Sequence, residues 1–231
     1  MNMIEKILAR ASGKKEVSPG EVVVARVDLM VMHDLSANFV TRVFREELGG
    51  GSIPDPSRIV FVFDHNFSPP TREAAEKLFE VRRFAAANGI RLFDCGNGSL
   101  HHVIIENGLW APGQVIIGCD SHTPIYGALG VFATGVGNNS MAALGFQHGR
   151  AWFKVPETIK IVLHGQVGKA VAPRDIAQYV VGCLGEDSAI YKALEYGGQY
   201  IVSLSIEDRM LFPLMSIDVV AKAGFINPYE N

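Results

Sequence analysis

The 231-residue chain is poor in cysteine, in charge and in long apolar runs, and each shortage removes a class of protein. Its three cysteines, Cys95, Cys119 and Cys183, are an odd number with no C-x-x-C pair, which suits a reducing compartment better than a disulfide framework. Charged residues make up 19% of the chain, below the usual share of about 25%. Apolar residues make up 48%, so disorder is excluded as the main state. Twenty-one Lys and Arg against 24 Asp and Glu leave a net charge of −3 and no basic block to neutralise a run of phosphates. No stretch approaches the roughly 20 apolar residues of a membrane helix. The opening MNMIEKILARAS sets Glu5, Lys6 and Arg10 where a signal peptide is apolar. The expectation is a cytoplasmic globular protein that binds neither nucleic acid nor membrane.

Four short apolar runs, IVFVF (59 to 63), IRLF (90 to 93), QVIIG (114 to 118) and TIKIVL (158 to 163), read as strands buried on both faces, as in parallel sheets. Between them lie helical patterns. One begins at Thr71, carries Ala75, Leu78, Phe79 and Arg82 near helical spacing, and stops at Asn88-Gly89. A second is expected over about 138 to 152. A third runs from Pro173 to Leu184, with Gly185 just past its end. This alternation predicts a layered α/β/α fold with a mainly parallel sheet. A seam near Phe153 to Pro156 divides the chain into an α/β domain over 1–154, carrying the Asp and His residues, and a smaller second α/β lobe over 155–231 that is expected to be incomplete.

Ligands of open parallel sheets bind beyond the carboxyl ends of the strands. Polar residues gather there: Asp64-His65 after IVFVF, His101-His102 after IRLF and the DCGNGSL loop, Asp120-Ser121-His122-Thr123 after QVIIGC, and His33-Asp34 after VDLMVM. Any one of these histidines is adequately explained as a loop side chain bonded to backbone. As a group they form the ionisable cluster that an active site requires. An aspartate beside a histidine serves proton transfer and metal ligation equally, and spacing does not choose between them. The stretch GALGVFATGVGNNS (127 to 140) offers amides for a carboxylate or phosphate, yet Gly135 and Gly137 complete no dinucleotide fingerprint. Cys183 and Cys119 read as small buried residues.

VIIGCDSHTPIYGALGVFATGVGNNSMAA, followed by WFKVPETIKIVLHG, closely resembles the large subunits of 3-isopropylmalate dehydratase in the aconitase family. IEKILARASGKKEVSPGE, the DHN of FVFDHN, Ser99-Leu100-His101 and the closing AKAGFINP match in the same order, so the resemblance spans essentially the whole chain. It implies an aconitase-like domain and a hydro-lyase (dehydratase or isomerase) acting on a small hydroxy di- or tricarboxylic acid. Asp64, His65, His101, Asp120, Ser121 and His122 then match positions that assist hydroxyl departure and hold the substrate. Dehydration needs an acid or Lewis-acid metal for a poor leaving group and a base for the adjacent proton.

The departures are equally specific. The family's three cluster cysteines lie beyond this length and none of the three present here falls in such a motif, so no [4Fe-4S] ligands are expected in this chain. The serine base belongs to a separate small subunit or swivelling domain. LMSID stands where the family has an Asn and, four residues on, a Glu; His33 and His102 replace amide side chains. These gains suggest a single divalent metal, zinc or ferrous iron, held by some of His33, His65, His101, His102 and His122 with Asp64 or Asp120. His33, Asp34, Thr123, Arg209 and Asp218 are expected to contact the carboxylate substrate. A homo-oligomer or a small-subunit partner is expected. A non-catalytic or partner-dependent subunit, and an inactive truncated paralogue, stand as alternatives.

Overall fold

The computed structural model describes residues 1–137 and 140–227. In chain order its elements are α1 (Met3–Ser12), β1 (Val22–Arg26), β2 (Leu29–His33), α2 (Asp34–Glu46), β3 (Ile59–Val62), α3 (Arg72–Asn88), β4 (Arg91–Phe93), α4 (Leu100–Glu106), β5 (Val115–Gly118), β6 (Phe132–Gly135), α5 (Ser140–His148), β7 (Arg150–Lys154), β8 (Thr158–Val162), α6 (Pro173–Leu184), β9 (Ala193–Gly197), α7 (Gln199–Ser203), α8 (Ile206–Leu214) and β10 (Ala223–Ile226). A 3-10 turn, Thr123–Leu129, separates β5 from β6.

Five strands form a parallel sheet in the order β4-β3-β2-β5-β6. Successive side chains of a strand face opposite sides, and both sides are apolar here. Met30, Met32, Ile59, Phe61 and Ile117 pack with Val40 and Phe44 of α2, Val81 and Phe84 of α3, and Phe146 of α5. Val31, Val60, Val62 and Ile116 pack on the other side with Leu100, Val103 and Ile104 of α4 and with Tyr126 of the 3-10 turn. The result is the expected α/β/α layering. The strand order steps outward from β2 to β3 and β4, then returns to the far side of β2 with β5. That reversal places α4 on the face opposite α2 and α3, as a single crossover hand requires. It also opens a crevice between the carboxyl ends of β2 and β5.

A second parallel sheet, β10-β9-β8, is covered by α6 and α8, and β1 pairs antiparallel with β7. The two parts of the chain share packing: Ala193, Ala223 and Phe225 belong to the main core, and Gly127 lies so close to Gly224 that an added Cβ would overlap its carbonyl.

Several local expectations need correction. The helix expected to reach 152 ends at His148; Gly149 at φ 60° turns the chain and Arg150–Lys154 becomes strand, paired with β1. Residues 138 and 139 of that expectation lie outside the described residues. On α3 the buried face is Leu78, Val81, Phe84 and Ala85, while Phe79 faces solvent. The runs at β4 and β8 are not buried on both faces, because each is the edge strand of its sheet. Cys183 is exposed on α6, whereas Cys119 is buried as expected. Among the described residues no helix is long and apolar enough to cross a membrane.

Candidate functional site

The carboxyl ends of β2, β3 and β5 bring three aspartates and three histidines to one edge of the sheet, and α4 adds a fourth histidine, His101. β2 ends at His33, which caps α2, its Nδ1 accepting from the Ser36 N–H at 3.5 Å. Asp34 follows in the first turn of α2, where the helix dipole favours a carboxylate. Its side chain is fully enclosed, and it holds the segment after β3: Oδ1 accepts from the N–H groups of Asp64 (3.3 Å) and His65 (2.9 Å), and Oδ2 from the backbone and side-chain N–H groups of Asn66 (3.0 and 2.8 Å). Four donors on one carboxylate make this loop rigid without any cation.

Asp64, so held, uses its own carboxylate in two directions. Oδ2 accepts from the first N–H of α4, at Leu100, at 2.7 Å, and Oδ1 takes His65 Nδ1 at 2.7 Å. His65 thus donates through Nδ1, its Nε2 is left without a hydrogen bond among the described residues, and its side chain is 42% exposed. The His65 ring lies on that of His33, centroids 3.9 Å apart and planes at 19°. Burial, and secondarily the proximity of His65, lower the His33 pKa, which favours its neutral form.

Beyond β5 a second pair forms. His101, on α4, reaches across to Asp120: Nε2 lies 2.9 Å from Oδ1, and Nδ1 lies 3.0 Å from the Tyr126 hydroxyl. Tyr126 is fully buried, and burial, reinforced by Asp120 and Asp64, drives its pKa well above the ordinary value. It therefore remains a donor to Nδ1, which leaves Nε2–H to donate to Asp120 and fixes the tautomer. The hydrogen bond from His101, aided by the His122 N–H at 2.7 Å, pulls the Asp120 pKa far down despite half-burial. With both nitrogens engaged, His101 supports Asp120. The groups open to a ligand are His65 Nε2, Ser121 and the exposed His122, whose Nδ1 lies 3.3 Å from Ser121 Oγ and 3.4 Å from Asp120 Oδ1.

Some sequence candidates land elsewhere. His102, next to His101 on α4, is turned about 100° away by helical geometry and is exposed. Thr123 is fully buried and gives its hydroxyl to the Asp120 carbonyl at 2.6 Å, which makes it a support of the turn instead of a substrate contact. Asp34 is likewise committed to the loop. Arg209 is no carboxylate anchor in this arrangement: its guanidinium donates to the carbonyls of Leu204 (3.1 Å) and Val202 (2.6 Å). Asp218 sits exposed on a 3-10 turn after α8. Sequence reasoning missed the supporting roles of Asn66 and Tyr126, both inside quoted motifs but without titration near neutrality to draw notice, and it missed Lys222, considered below.

His33, His65, His101 and His122 share one edge but not one point, and His102 is turned away from it. Within the described residues the group whose donor atoms lie close enough to hold a metal is His33, Asp34 and His65, all within 4.8 Å of one another. Three hollows lie along the edge: one of about 480 Å3 flanked by Asp64, His65 and Phe67, one of about 360 Å3 beside Asp34, Asn38 and Asn66, and one of about 350 Å3 beside Asp120 and Ser121. The cysteines do not form a cluster-binding set. Cys119 is buried with its thiol pushed up to about 12, Cys183 is exposed on α6, and Cys95 packs against Arg82 and the Asn66 carbonyl.

Residues 5–231 match the sequence model of the aconitase family (aconitate hydratase). The 3-isopropylmalate dehydratase large subunit 1 of Pyrococcus furiosus is 44% identical over 230 residues, 99% of this chain and 54% of that protein. A probable 3-isopropylmalate dehydratase large subunit of Methanothermobacter thermautotrophicus is 40% identical over 231 residues, 100% of this chain and 55% of that protein. A probable methanogen homoaconitase large subunit of the same organism is 42% identical over 232 residues, 99% of this chain and 54% of that protein. The chain spans about half the length of the curated relatives it matches.

Proposed function

The chain belongs to the aconitase family, and from that premise we propose that it supplies the proton-transfer side of a hydro-lyase site for a small hydroxy di- or tricarboxylic acid. The observation that carries this is the Asp64–His65 pair, 2.7 Å apart at Nδ1, whose other ring nitrogen is open at the sheet edge. With its Nδ1–H held by the carboxylate, the imidazolium form delivers its Nε2 proton to a departing hydroxyl, which leaves as water, and the neutral ring takes a proton back at Nε2 in the hydration direction. His122, with Ser121 beside it, faces the same edge from β5 and is placed for the second transfer or for holding the substrate hydroxyl. Asp34, Tyr126 and His101 do no chemistry; they fix the two reactive histidines.

Aconitase-family proteins use an iron–sulfur cluster. The cysteines of this chain do not fit one, and no step is assigned to it here. The relatives are named large subunits; we propose a small-subunit partner that brings the base and closes the site. The test is dehydration of 3-isopropylmalate, followed by absorbance of the unsaturated acid, with the chain alone and mixed with small subunit. His65→Gln should reduce the rate by about 100-fold or more, in line with loss of a general acid. Unchanged turnover in that variant removes His65 from the mechanism.

A second assignment rests on the His33, Asp34 and His65 donors, a set suited to zinc or ferrous iron. Such an ion would act there as a Lewis acid toward the hydroxyl. Binding would require Asp34 to release part of the loop it holds, since each of its oxygens already accepts two N–H bonds. Equilibrium dialysis against zinc should show one site that His33→Ala and His65→Ala each abolish; uptake no greater than background ends this assignment.

A further inference from the structure

Three carboxylates, Asp34, Asp64 and Asp120, line the edge, and a substrate with two or three carboxylates of its own would be repelled without a cation to receive it. Two of the arginines nearby are committed to other groups, and the third, Arg42, is exposed on α2. Arg82 grips Asp94 through two bonds of 2.7 Å, Arg209 caps backbone carbonyls, and Arg42 lies over the Phe39 ring at 5.1 Å.

We propose that Lys222 anchors one substrate carboxylate in the cavity beyond β5 and β6. This rests on the hydro-lyase assignment above and extends it to a residue of the C-terminal part. The cavity holds about 350 Å3 and is walled by Cys119, Asp120, Ser121, Gly135, Ile217 and Lys222, so the lysine and the reactive edge share one space. Its volume is within the range of small-molecule sites. Lys222 is held from both sides: its N–H donates to the Lys192 carbonyl at 2.7 Å, and its own carbonyl accepts from Thr134 Oγ1 at 2.8 Å. The part-buried ammonium donates to the Gly135 carbonyl at 3.1 Å and lies 5.6 Å from the Tyr191 ring centroid. An ammonium has three hydrogens, and among the described residues this one has the Gly135 carbonyl and the Tyr191 ring as its contacts, with no carboxylate salt bridge. Burial lowers its pKa. A part-buried cation with no carboxylate partner among the described residues, in the wall of a cavity that also contains Asp120 and Ser121, is completed by an anionic group of the ligand. One carboxylate on Lys222 then leaves the carbon skeleton lying back along the edge toward His122 and His65.

Isothermal titration of the full chain with 3-isopropylmalate tests this, with Lys222→Met and Lys222→Arg alongside and thermal unfolding measured for each. Loss of a charge-assisted bond predicts binding about 10- to 100-fold weaker in Lys222→Met. Its melting temperature should hold to within a few degrees, and Lys222→Arg should recover affinity to within about fivefold. Binding by Lys222→Met within twofold of the unmutated chain overturns the anchor while leaving the hydro-lyase assignment standing. So does a loss of binding in both variants that accompanies a fall in melting temperature, since it makes the role structural. An unmutated chain that binds no 3-isopropylmalate overturns the hydro-lyase assignment itself, and the anchor with it.

Discussion

Replacing Asp34 by asparagine isolates the one side chain on which the geometry of His65 depends. The carboxylate receives four N–H bonds, two on each oxygen, from the segment Asp64 to Asn66. Asparagine keeps one acceptor oxygen and turns an NH2 toward the other two donors. Bonds to a charged acceptor contribute about 1.5–3 kcal/mol each. The segment is only part-buried, so water recovers a share, and the net cost should be about 2–4 kcal/mol. At about 2–4 °C per kcal/mol for a chain of this size, the midpoint should fall by roughly 5 to 15 °C. Urea unfolding by linear extrapolation measures the free energy directly. His65→Ala is the control: its ring is 42% exposed, so it should cost less than about 1 kcal/mol while abolishing proton transfer. An Asp34→Asn variant within 0.5 kcal/mol of the unmutated protein (an assay threshold on the order of ordinary surface substitutions) would show that the loop holds itself, and would refute the ordering from Asp34 to Asp64 to His65.

Three further outcomes follow from the same contacts. Tyr126→Phe removes the donor to His101 Nδ1; it should cost about 1 kcal/mol and mix the imidazole tautomers, visible as a shift of the His101 ring-nitrogen resonances, and an unchanged spectrum would contradict the assigned tautomer. Asp94 is held down to about 2 by Arg82, and Asp120 is lowered by His101. Both sit below the ordinary unfolded value, so the stability they add is complete above about pH 5 and is lost as pH falls through their folded values. Thermal melts between pH 5 and 2.5 should therefore decline steeply, and Asp120→Asn should flatten that decline more than Asp94→Asn, whose side chain is 46% exposed. Gly127→Ala drives a Cβ into the Gly224 carbonyl and should destabilise by about 3 kcal/mol or give insoluble protein, whereas Gly168→Ala, with open space around it, should express and melt normally.

The sequence made the main sheet legible because its central strands carry side chains that must be apolar on both faces; Val60 and Phe61 point to opposite layers and both are buried. It misled at β4 and β8, where apolar runs sit on edges, because burial on one face and on two give the same letters over four residues. It misled again at Arg150–Lys154, where the expected helix runs on to 152 although Gly149, at positive φ, already ends it. At the site, adjacency in sequence identified Asp64-His65 and Asp120-Ser121-His122, since a strand end displays neighbouring residues together. It could not show that His101 serves Asp120, 19 positions away, or that Asp34 serves residues 30 to 32 positions away. Those pairings depend on which strands are neighbours, which is set by the reversal of strand order after β4.

That reversal also divides the labour among the histidines. A histidine whose two nitrogens are both bonded, as in His101, can only hold its neighbours; one with a single bonded nitrogen, as in His65, can exchange a proton with something outside the chain. The reactive atoms consequently face the open rim of the edge, and the bonded ones lie behind them. A site built this way has a well-defined floor and, among the described residues, an uncovered rim: Ser121 and His122 are exposed, His65 is 42% exposed, and the hollows beside them are open to water. Water at the rim competes for every proton that His65 offers, so efficient dehydration requires a covering surface. Preorganised acid groups below and an uncovered rim above are what a partner that supplies the base would meet, which is why turnover should rise with added small subunit while binding at Lys222, on the floor, should not depend on it.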